Sequence, residues 1–345
     1  MKILTILSIF IFCSFSAFAQ TIWEWSSPKA MSSNTTDNQH VCFLSMDHNP
    51  IAVWEKVINE TTYAICSKDF TDPNATERKL VQKEGVKYTN PTGKGSLIMF
   101  EANDGSNSIK LQYIIVYHDS VSQPKDICNQ SGDQTNPKMS YNYVFWINNG
   151  AVFVAYYTDY NFTSPIKLSS NGVYSMDATE NVCTYVQYQG IQSLFRSKGV
   201  QYSNNQWQIS SYDSIIMNFR LTDIDVDNMT GSQWCSMIET GVQEGSIMYT
   251  EHTNGQLHYY KTGYNMIEPT IEYYEYHYDN DLYAVDFLAF SGDSTGNYEI
   301  YAYAPGRGLR NISNFYANDR NPKFFPTWEV YQQIYAIRLY LVWEA

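Results

Sequence analysis

Short apolar runs, some of them alternating with polar residues, recur along most of this chain. Leu97–Phe100, Tyr143–Ile147 and Leu282–Phe290 are almost wholly apolar, whereas Thr21–Trp25 and Asn297–Tyr301 alternate. Turn-forming Asn and Gly residues follow many of these runs, as at Asn148-Asn-Gly150. Alternation with a period of two, bounded by such turns, predicts β-strands joined by tight hairpins. Few segments show the 3.6-residue period of a helix, so we predict an all-β fold.

A dipeptide ending in proline recurs ahead of these runs. It begins at Asn49, Asn90, Asn136, Glu268 and Asn321, with intervals of 41, 46, 132 and 53 residues. Proline fixes φ and cannot donate to a strand ladder, so we interpret each dipeptide as the crossing from one sheet to the next. The long interval is three times 44 residues, which leaves room for two units without the dipeptide.

The spacing therefore predicts seven units of about 45 residues, which is the size of a four-stranded propeller blade. Six or eight units also fit, because the assignments between Pro137 and Pro269 rest on strand patterns alone. A pair of β-sandwiches would also produce many short strands, but it does not predict an even period.

The stretch from Ser291 to Ala345 holds one unit with recognisable motifs. It contains Gly296-Asn-Tyr-Glu-Ile-Tyr301, Asp319-Arg-Asn-Pro322 and a closing strand run, Ile334–Trp343. These motifs resemble the WD40-like repeat of TolB-type β-propellers over about one blade. The resemblance implies a single propeller over residues 20–345, in which similar blades cover one another's apolar faces. It implies no particular activity, because propellers carry many unrelated functions.

The two ends of the chain offer a way to close such a ring. Thr21–Trp25 alternates like a strand but has no hairpin partner nearby, and Ile334–Trp343 ends the chain in the middle of a blade. We therefore predict that these N- and C-terminal strands pair, which would leave no long sheet edge exposed at the seam.

The first 19 residues have the pattern of a signal peptide. Lys2 supplies a positive charge, Ile3–Phe15 is an apolar run too short to span a bilayer, and Ala17-Phe18-Ala19 offers small residues before a cut. We predict cleavage before Gln20 and a secreted or periplasmic protein, with an uncleaved anchor as the alternative. No later run approaches the roughly 18 apolar residues of a spanning helix, so we expect no membrane insertion.

Composition narrows the classes of partner. The chain has 22 basic and 35 acidic residues and a formal net charge of −13, which becomes −14 without Lys2. Nucleic-acid binding needs clustered Lys and Arg, and an anionic membrane would repel this charge, so both are disfavoured. Aromatic residues make up 16% of the chain, with 30 Tyr, which suits the half-buried faces of pleated sheets.

Five cysteines follow the predicted cleavage site: Cys42, Cys66, Cys128, Cys183 and Cys235. They show no Cys-x-x-Cys spacing, so a zinc site is not predicted. Three of them lie inside apolar strand patterns and suit buried packing. A Cys42–Cys66 disulfide is conceivable in an oxidising compartment, and the odd number leaves at least one thiol outside any intramolecular bridge.

The sharpest candidate for an ion site is the run Asp223, Asp225 and Asp227. Three carboxylates at alternate positions could wrap around Ca²⁺, which prefers six to eight oxygen ligands. The run departs from the EF-hand pattern, because Asn228 replaces its glycine and Trp234 its final glutamate. If the segment is extended instead, the three Asp residues share one solvent-facing side of a strand. We predict no cofactor other than this possible structural calcium ion.

Aromatic side chains are the remaining candidates for binding. We single out five: Tyr273, Tyr274, Tyr276, Trp54 and Trp146. Rigid aromatic rings give a large contact area at low entropic cost and can stack on sugars or anchor a protein interface. The alternative is packing between blades, which the position of the Trp residues within strand patterns favours.

The motifs favour binding over catalysis. Glycoside hydrolysis needs two or three carboxylates that converge on one pocket. Candidates are Asp47, Glu55, Glu101, Asp286 and Glu299, but any chain this acidic would offer such a set. The sialidase box is absent from the sequence. Gly292-Asp-Ser-Thr-Gly296 has the Gly-x-Ser-x-Gly spacing but lacks the strand-turn-helix context of a serine-hydrolase elbow. We therefore predict a non-catalytic platform for a protein or cell-envelope partner; the alternative is a carbohydrate-active propeller, either a lectin-like protein or a glycosidase.

Overall fold

The computed structural model describes residues 4–12, 22–25, 29–30, 38–46, 49–70, 72, 74–106, 108–158, 161–227, 233–240, 243–250, 257–278, 281–294, 296–304, 308–313, 318–331 and 334–344. All regular structure in these residues is β-strand, which confirms the predicted all-β class. Among the same residues, none forms a helix long and apolar enough to cross a membrane.

The strands follow one another in groups of about four. The chain begins with β1 (Leu4–Phe12), β2 (Ile22–Trp25) and β3 (Lys29–Ala30). Blade 1 contains β4 (Asn38–Met46), β5 (Asn49–Asn59), β6 (Thr62–Asp69) and β7 (Arg78–Val81). Blade 2 contains β8 (Lys87–Lys94), β9 (Leu97–Asn103), β10 (Lys110–Ile115) and β11 (Lys125–Asp126). Blade 3 contains β12 (Gln134–Ser140), β13 (Tyr143–Asn148), β14 (Ala151–Thr158), β15 (Asn161–Phe162) and β16 (Ile166–Lys167).

The second half of the chain repeats the pattern. Blade 4 contains β17 (Val173–Thr179), β18 (Val182–Gln189), β19 (Gln192–Ser203) and β20 (Gln206–Met217). Blade 5 contains β21 (Leu221–Val226), β22 (Trp234–Ile238), β23 (Ile247–Thr250) and β24 (Leu257–Tyr260). Blade 6 contains β25 (Asn265–Tyr278), β26 (Asp281–Asp293), β27 (Tyr298–Ala304) and β28 (Gly308–Asn311). The chain ends with β29 (Arg320–Tyr331) and β30 (Ile334–Glu344), which form blade 7 with β1–β3.

The strands of each blade pair antiparallel; β15 and β16 both pair with β14, and β2 and β3 both pair with β1. Blades 1 and 2 count as one eight-stranded sheet only because Tyr63 of β6 bridges Lys87 of β8 in parallel. The first strand of each blade contacts the first strand of the next, in the order β4, β8, β12, β17, β21, β25, β29 and back to β4. The described strands therefore form a closed ring of seven blades, which confirms the predicted β-propeller.

The seam of the ring lies in blade 7. β30 pairs antiparallel with β1, from Leu4 opposite Glu344 to Phe10 opposite Arg338. The N- and C-terminal strands thus close the ring as predicted, but the predicted contact of Thr21–Trp25 with β30 is wrong. β2 pairs with the other edge of β1 instead. The apolar run Leu4–Phe12 is itself a good strand sequence and takes the inner place.

Apolar side chains fill the spaces between neighbouring blades. The ring of Phe195 in blade 4 lies 4.3 Å from that of Trp234 in blade 5. Phe287 of blade 6 and Phe324 of blade 7 have ring centroids 6.3 Å apart in a cluster that includes the buried Trp343. Burying a side chain of this size contributes about 1.5–3 kcal/mol relative to leaving it in water. The blades are therefore joined mainly through their flat faces.

The five cysteines downstream of Gln20 are free thiols. The conceivable Cys42–Cys66 bridge is not formed, because β5 lies between β4 and β6. Strands two places apart in a sheet are about 9.5 Å apart, beyond the roughly 7 Å that a disulfide can span. Cys42 and Cys66 also pack in different apolar clusters. Burial raises the pKa of both thiols to about 12, so neither is a reactive thiolate at neutral pH.

Removal of the predicted signal peptide would take β1 out of the seam. In a chain that begins at Gln20 we expect β2 to move next to β30, because an unpaired β30 edge would leave its backbone groups without partners. The amides of Leu339–Trp343 should then keep their protection from hydrogen exchange. This is measured by mass spectrometry on the shortened chain, which begins at Gln20, and on residues 1–345. Val182–Gln189 in blade 4 is the control and should be equally protected in both. Fast exchange confined to Leu339–Trp343 would show that β1 itself is needed.

Candidate functional site

A bulge in the first strand of every blade shapes the central channel. The residue in the bulge has a left-handed backbone in six blades: His40 (φ 48°), Asn90 (49°), Asn136 (54°), Asp223 (51°), Glu268 (55°) and Asn321 (51°). In each case the strand register shifts at that point, and β17 shows the same shift between Val173 and Ser175. Asn and Asp adopt this conformation more easily than most residues, which accounts for their frequency here.

The proline dipeptides are therefore not blade crossings. Those at Asn90, Asn136, Glu268 and Asn321 lie at bulges inside the first strand of a blade. Proline follows the bulge residue because it lacks the N–H that a bulge would leave without a ladder partner. Asn49-Pro50 is different, since it begins β5 opposite Ser45 and Met46. The true equivalent in blade 1 is His40, which no proline follows.

Buried carboxylates connect these bulges from blade to blade. The N–H of Asn90 donates to Glu55 of blade 1 at 3.1 Å, and that of Asn136 donates to Glu101 of blade 2 at 2.7 Å. The N–H of His40 donates to Glu344 at 2.7 Å, which joins blade 1 to blade 7. A carboxylate that accepts a backbone N–H forms a stronger hydrogen bond than a neutral acceptor.

Carboxylates also join blades 4 to 7, although only the bond to Asn321 reaches a bulge residue. Asp177 accepts the N–H of Val226 at 2.8 Å, and Asp225 accepts the N–H of Ile271 at 3.0 Å. Glu268 accepts the N–H of Asn321 at 2.8 Å and forms a two-pronged pair with the Arg320 guanidinium. Each acidic group lies in one blade and holds the backbone of the next.

Two lysines project into the channel and pair with these acids. Lys138 Nζ lies 3.0 Å from Asp177, and Lys323 Nζ lies 2.9 Å from Asp225. Burial raises the pKa of Asp225, but the Lys323 ammonium and the hydrogen bonds outweigh it, so the pKa lies below its ordinary value. The Asp225 and Asp177 carboxylates in turn raise the pKa of Lys323 despite its burial. Asp225 and Lys323 therefore stay charged at neutral pH.

The channel contains two adjoining spaces of about 430 and 400 Å³. Both are lined by His40, Asn90, Asn136, Lys138, Asn321 and Lys323. Burial raises the pKa of Glu101, although hydrogen bonds from Asn136, Asn90 and Thr89 partly oppose the shift. For His40, the paired Glu55 outweighs burial and raises the pKa. The channel is thus a polar cavity whose acidic walls already hold backbone and lysine groups.

The hydrolytic candidates whose side chains the structure describes, Glu55, Glu101 and Glu299, do not converge on one open pocket. Glu55 and Glu101 are buried and hold the bulges of the following blades. Glu299 is buried and accepts a hydrogen bond from Asn311. Asp47 and the side chain of Asp286 lie outside the described residues. The described candidates therefore have structural partners.

The three aspartates of the predicted calcium loop lie on β21 and directly after it. The strand is extended, but the bulge at Asp223 breaks its alternation. Asp223 is exposed, whereas Asp225 and Asp227 are buried, so the expectation of a shared solvent-facing side is wrong. Asp225 is engaged by Lys323, Thr270 and Ile271. No group of three or more His, Cys, Asp or Glu side chains suited to a metal ion occurs among the residues that the structure describes.

The predicted aromatic binding residues lie mostly in the interior. Trp54 is fully buried and its indole N–H donates to Asn38 at 3.0 Å. Trp146 is fully buried and stacks on Phe153, and Tyr273 is buried in β25. None of these three offers a ring to a ligand, because all three side chains are buried. The side chains of Tyr274 and Tyr276 lie outside the described residues.

Sequence reasoning missed an exposed apolar surface at one end of blade 4, here called the blade-4 patch. It consists of Tyr174, Tyr188 and Ile191, of which Tyr174 and Ile191 are 56% and 74% exposed. The rings of Tyr174 and Tyr188 stack 4.8 Å apart. The signal available in the sequence was an isoleucine directly after Gly190, in a turn where a polar residue is usual.

Hydrogen bonds hold the blade-4 patch together. The Arg220 guanidinium lies 4.9 Å from the Tyr188 ring and donates to the carbonyl of Gly190 at 3.1 Å. Gln192, next to Ile191, donates to Asn218 at 2.7 Å, which ties the turn to the end of β20. The patch is therefore a fixed surface on a rigid sheet.

A second surface is an aromatic cleft between blades 3 and 4. It has a volume of about 290 Å³ and is lined by Tyr141, Asn142, Tyr143, Tyr156, Glu180 and Asn181. The Tyr143 and Tyr156 rings meet edge to face at 5.1 Å. Tyr141 is exposed, and the Lys94 ammonium lies 3.9 Å from its ring centroid. The cleft combines ring faces with amide and carboxylate groups.

No protein-family model matches this sequence, and no curated protein matches it. Solved structures are similar in fold. A puromycin hydrolase gives a TM-score of 0.55 at 10% identity, covering 84% of this chain and 48% of its own. A putative 6-phosphogluconolactonase from Bacteroides uniformis gives 0.51 at 12% identity, covering 89% and 95%. The N-terminal domain of Nup159 gives 0.50 at 9%, covering 85% and 86%.

Identities this low establish the fold alone. The similarity agrees with the resemblance to WD40-like repeats seen in the Gly296 and Asp319 motifs, and it confirms a propeller. It assigns no activity, because the similar proteins carry unrelated descriptions.

Replacing Asp225 by Asn tests the role of the inter-blade carboxylates. The Lys323 ammonium would lose its charged partner, so we expect the free energy of unfolding at pH 7 to fall by about 2 kcal/mol, measured by urea titration. Asp119→Asn is the control, because this side chain is exposed and should change stability by less than about 0.5 kcal/mol.

The stability difference between the natural chain and Asp225→Asn should depend on pH. Because the folded pKa of Asp225 lies below 3.8, its contribution is present above about pH 4 and is lost as the pH falls through the folded value. The stability difference between the natural chain and Asp225→Asn should therefore shrink below about pH 4. A constant difference down to pH 2 would contradict the ion pair.

Proposed function

We propose that this chain is an exported, non-catalytic binding platform for another protein. The observation that carries the proposal is the blade-4 patch, a rigid apolar surface on a ring in which the channel carboxylates Glu55 and Glu101 hold neighbouring blades together. Apolar side chains left in water on a fixed surface are typical of protein contact sites. Export to the periplasm or the outside is supported by the sequence pattern of residues 1–19.

The charge of the chain indicates the chemistry of the partner. A net charge of −13 favours a partner with an apolar contact surface surrounded by basic residues. A cation, Arg220, lies beside the patch. Its guanidinium already donates to the carbonyl of Gly190 and lies over the Tyr188 ring. A cell-envelope protein with a basic rim fits these conditions.

The double variant Tyr174→Ser, Ile191→Ser tests the platform. Both side chains are exposed, so the fold should persist while the patch becomes polar. We expect proteins enriched from an envelope extract by the immobilised natural chain to decrease at least tenfold with the variant, in quantitative mass spectrometry. The matched control is Ile58→Ser, Tyr117→Ser, which removes two exposed apolar side chains on other blades. Equal enrichment by all three proteins would argue against the patch.

A second candidate function is glycan binding in the aromatic cleft. Tyrosine rings stack on sugar faces, and the amides of Asn142 and Asn181 and the carboxylate of Glu180 can bond to hydroxyl groups. This candidate corresponds to the lectin-like alternative drawn from the sequence, at residues that the sequence did not indicate.

A glycan array separates the two functions. If the cleft binds sugar, Tyr141→Ala should abolish the signal on the bound glycans, while Tyr259→Ala, which removes another exposed ring, should leave it unchanged. Sugar binding that survives Tyr141→Ala would place the site elsewhere. An array without any bound glycan would leave protein binding as the function.

A further inference from the structure

The outermost strand of blade 4 is unlike those of the other blades. β20 has 12 residues. The outermost strands elsewhere, β2, β7, β11, β15, β16, β24 and β28, have two to four residues. Short edge strands are one of the ways in which proteins prevent their sheet edges from pairing with other chains. Blade 4 lacks a short edge strand.

The composition of β20 gives little other protection. Ile209, Tyr212, Ile215 and Ile216 are exposed on it, and Asp213 is its only charged residue. It contains no Lys and no Pro, the residues that usually block edge pairing. By contrast, β7 carries Arg78 and Lys79, and β11 consists of Lys125 and Asp126.

A bulge divides the edge of β20 into two parts. The register with β19 shifts between Lys198, which pairs with Ser211, and Arg196, which pairs with Ser214. The extra residues are Tyr212 and Asp213. The Tyr212 ring lies over Gly199, where an added Cβ would come within 2.6 Å of it. The ring therefore fixes the bulge, and Gln206–Ser211 remains as a regular segment of about 20 Å.

The Gln206–Ser211 segment is anchored on one side and open on the other. Ile209 pairs with the buried Val200, and Trp207 pairs with Tyr202. The Trp207 ring also lies 6.3 Å from that of Tyr143 in blade 3. The segment is therefore held rigidly against the propeller while its outer edge faces solvent.

We propose that this edge pairs with the same edge of a second copy of the chain, antiparallel and about a two-fold axis. Two copies with a net charge of −13 repel each other over most of their surface, and Gln206–Tyr212 carries no charge. An antiparallel strand is complementary to itself, because each copy supplies both the donors and the acceptors. A two-fold contact of this kind also closes after two copies, so it produces a dimer and not a fibre.

The dimer is tested by light scattering after size-exclusion chromatography, over protein concentrations from about 1 μM to about 500 μM, where contacts of modest area dissociate. We expect the natural chain to pass from monomer to dimer in this range. Ile209→Lys should raise the dissociation constant at least tenfold, because the two introduced lysines would lie close together across the contact and repel each other. Leu257→Lys on the short strand β24 is the control and should dimerise like the natural chain.

Single cysteine substitutions locate the contact. Gln208→Cys, Ser210→Cys and Ser211→Cys should give a disulfide-linked dimer under mild oxidation, with the highest yield at the residue closest to the two-fold axis. A natural chain that stays monomeric at the highest concentration would overturn the proposal. A dimer unaffected by Ile209→Lys, or equal cross-linking at Ser211→Cys and at a Leu257→Cys control, would also overturn it.

Discussion

The ring depends on one repeated interaction, a backbone N–H in the first strand of a blade, often at its bulge, that donates to a carboxylate of the preceding blade. The bulge turns these donors away from their own sheet, so without an acceptor each would be buried and unsatisfied. Glu344, Glu55 and Glu101 supply the acceptor for His40, Asn90 and Asn136, respectively. Apolar packing between blade faces is not directional, whereas these hydrogen bonds are, so they fix the position of each blade relative to the next.

The same interaction explains how the channel accommodates buried carboxylates. A buried carboxylate is costly unless it is paired and hydrogen-bonded, and the channel meets this condition by placing backbone amides and two lysines around it. Lys138 and Lys323 serve Asp177 and Asp225, where the following blade supplies amides as well. The perturbed pKa values in the channel therefore reflect assembly of the fold.

The sequence predicted the parts of the fold that local chemistry determines. Alternation gave the strands, the turn residues gave the hairpins, and the spacing gave seven blades. The bulges at His40 and Asp223 could not be found, because no proline follows them and their role depends on a neighbouring blade. Trp54 and Trp146 could not be placed, since a period of two does not say which face of a strand is covered. The blade-4 patch was missed because Tyr174 and Tyr188 meet only after β17 and β18 are paired.

The bond between His40 and Glu344 joins residues 304 positions apart. Blades 1 to 6 can each form from a local hairpin sequence, but the inner ring is complete only when the last strand is available. Contacts between such distant residues are slow to form, because the chain pays the entropy of closing a long loop before it gains them. During synthesis the face of blade 1 that carries Trp54 must wait for its neighbour, so the nascent protein has an apolar surface in need of shielding until its final residues emerge.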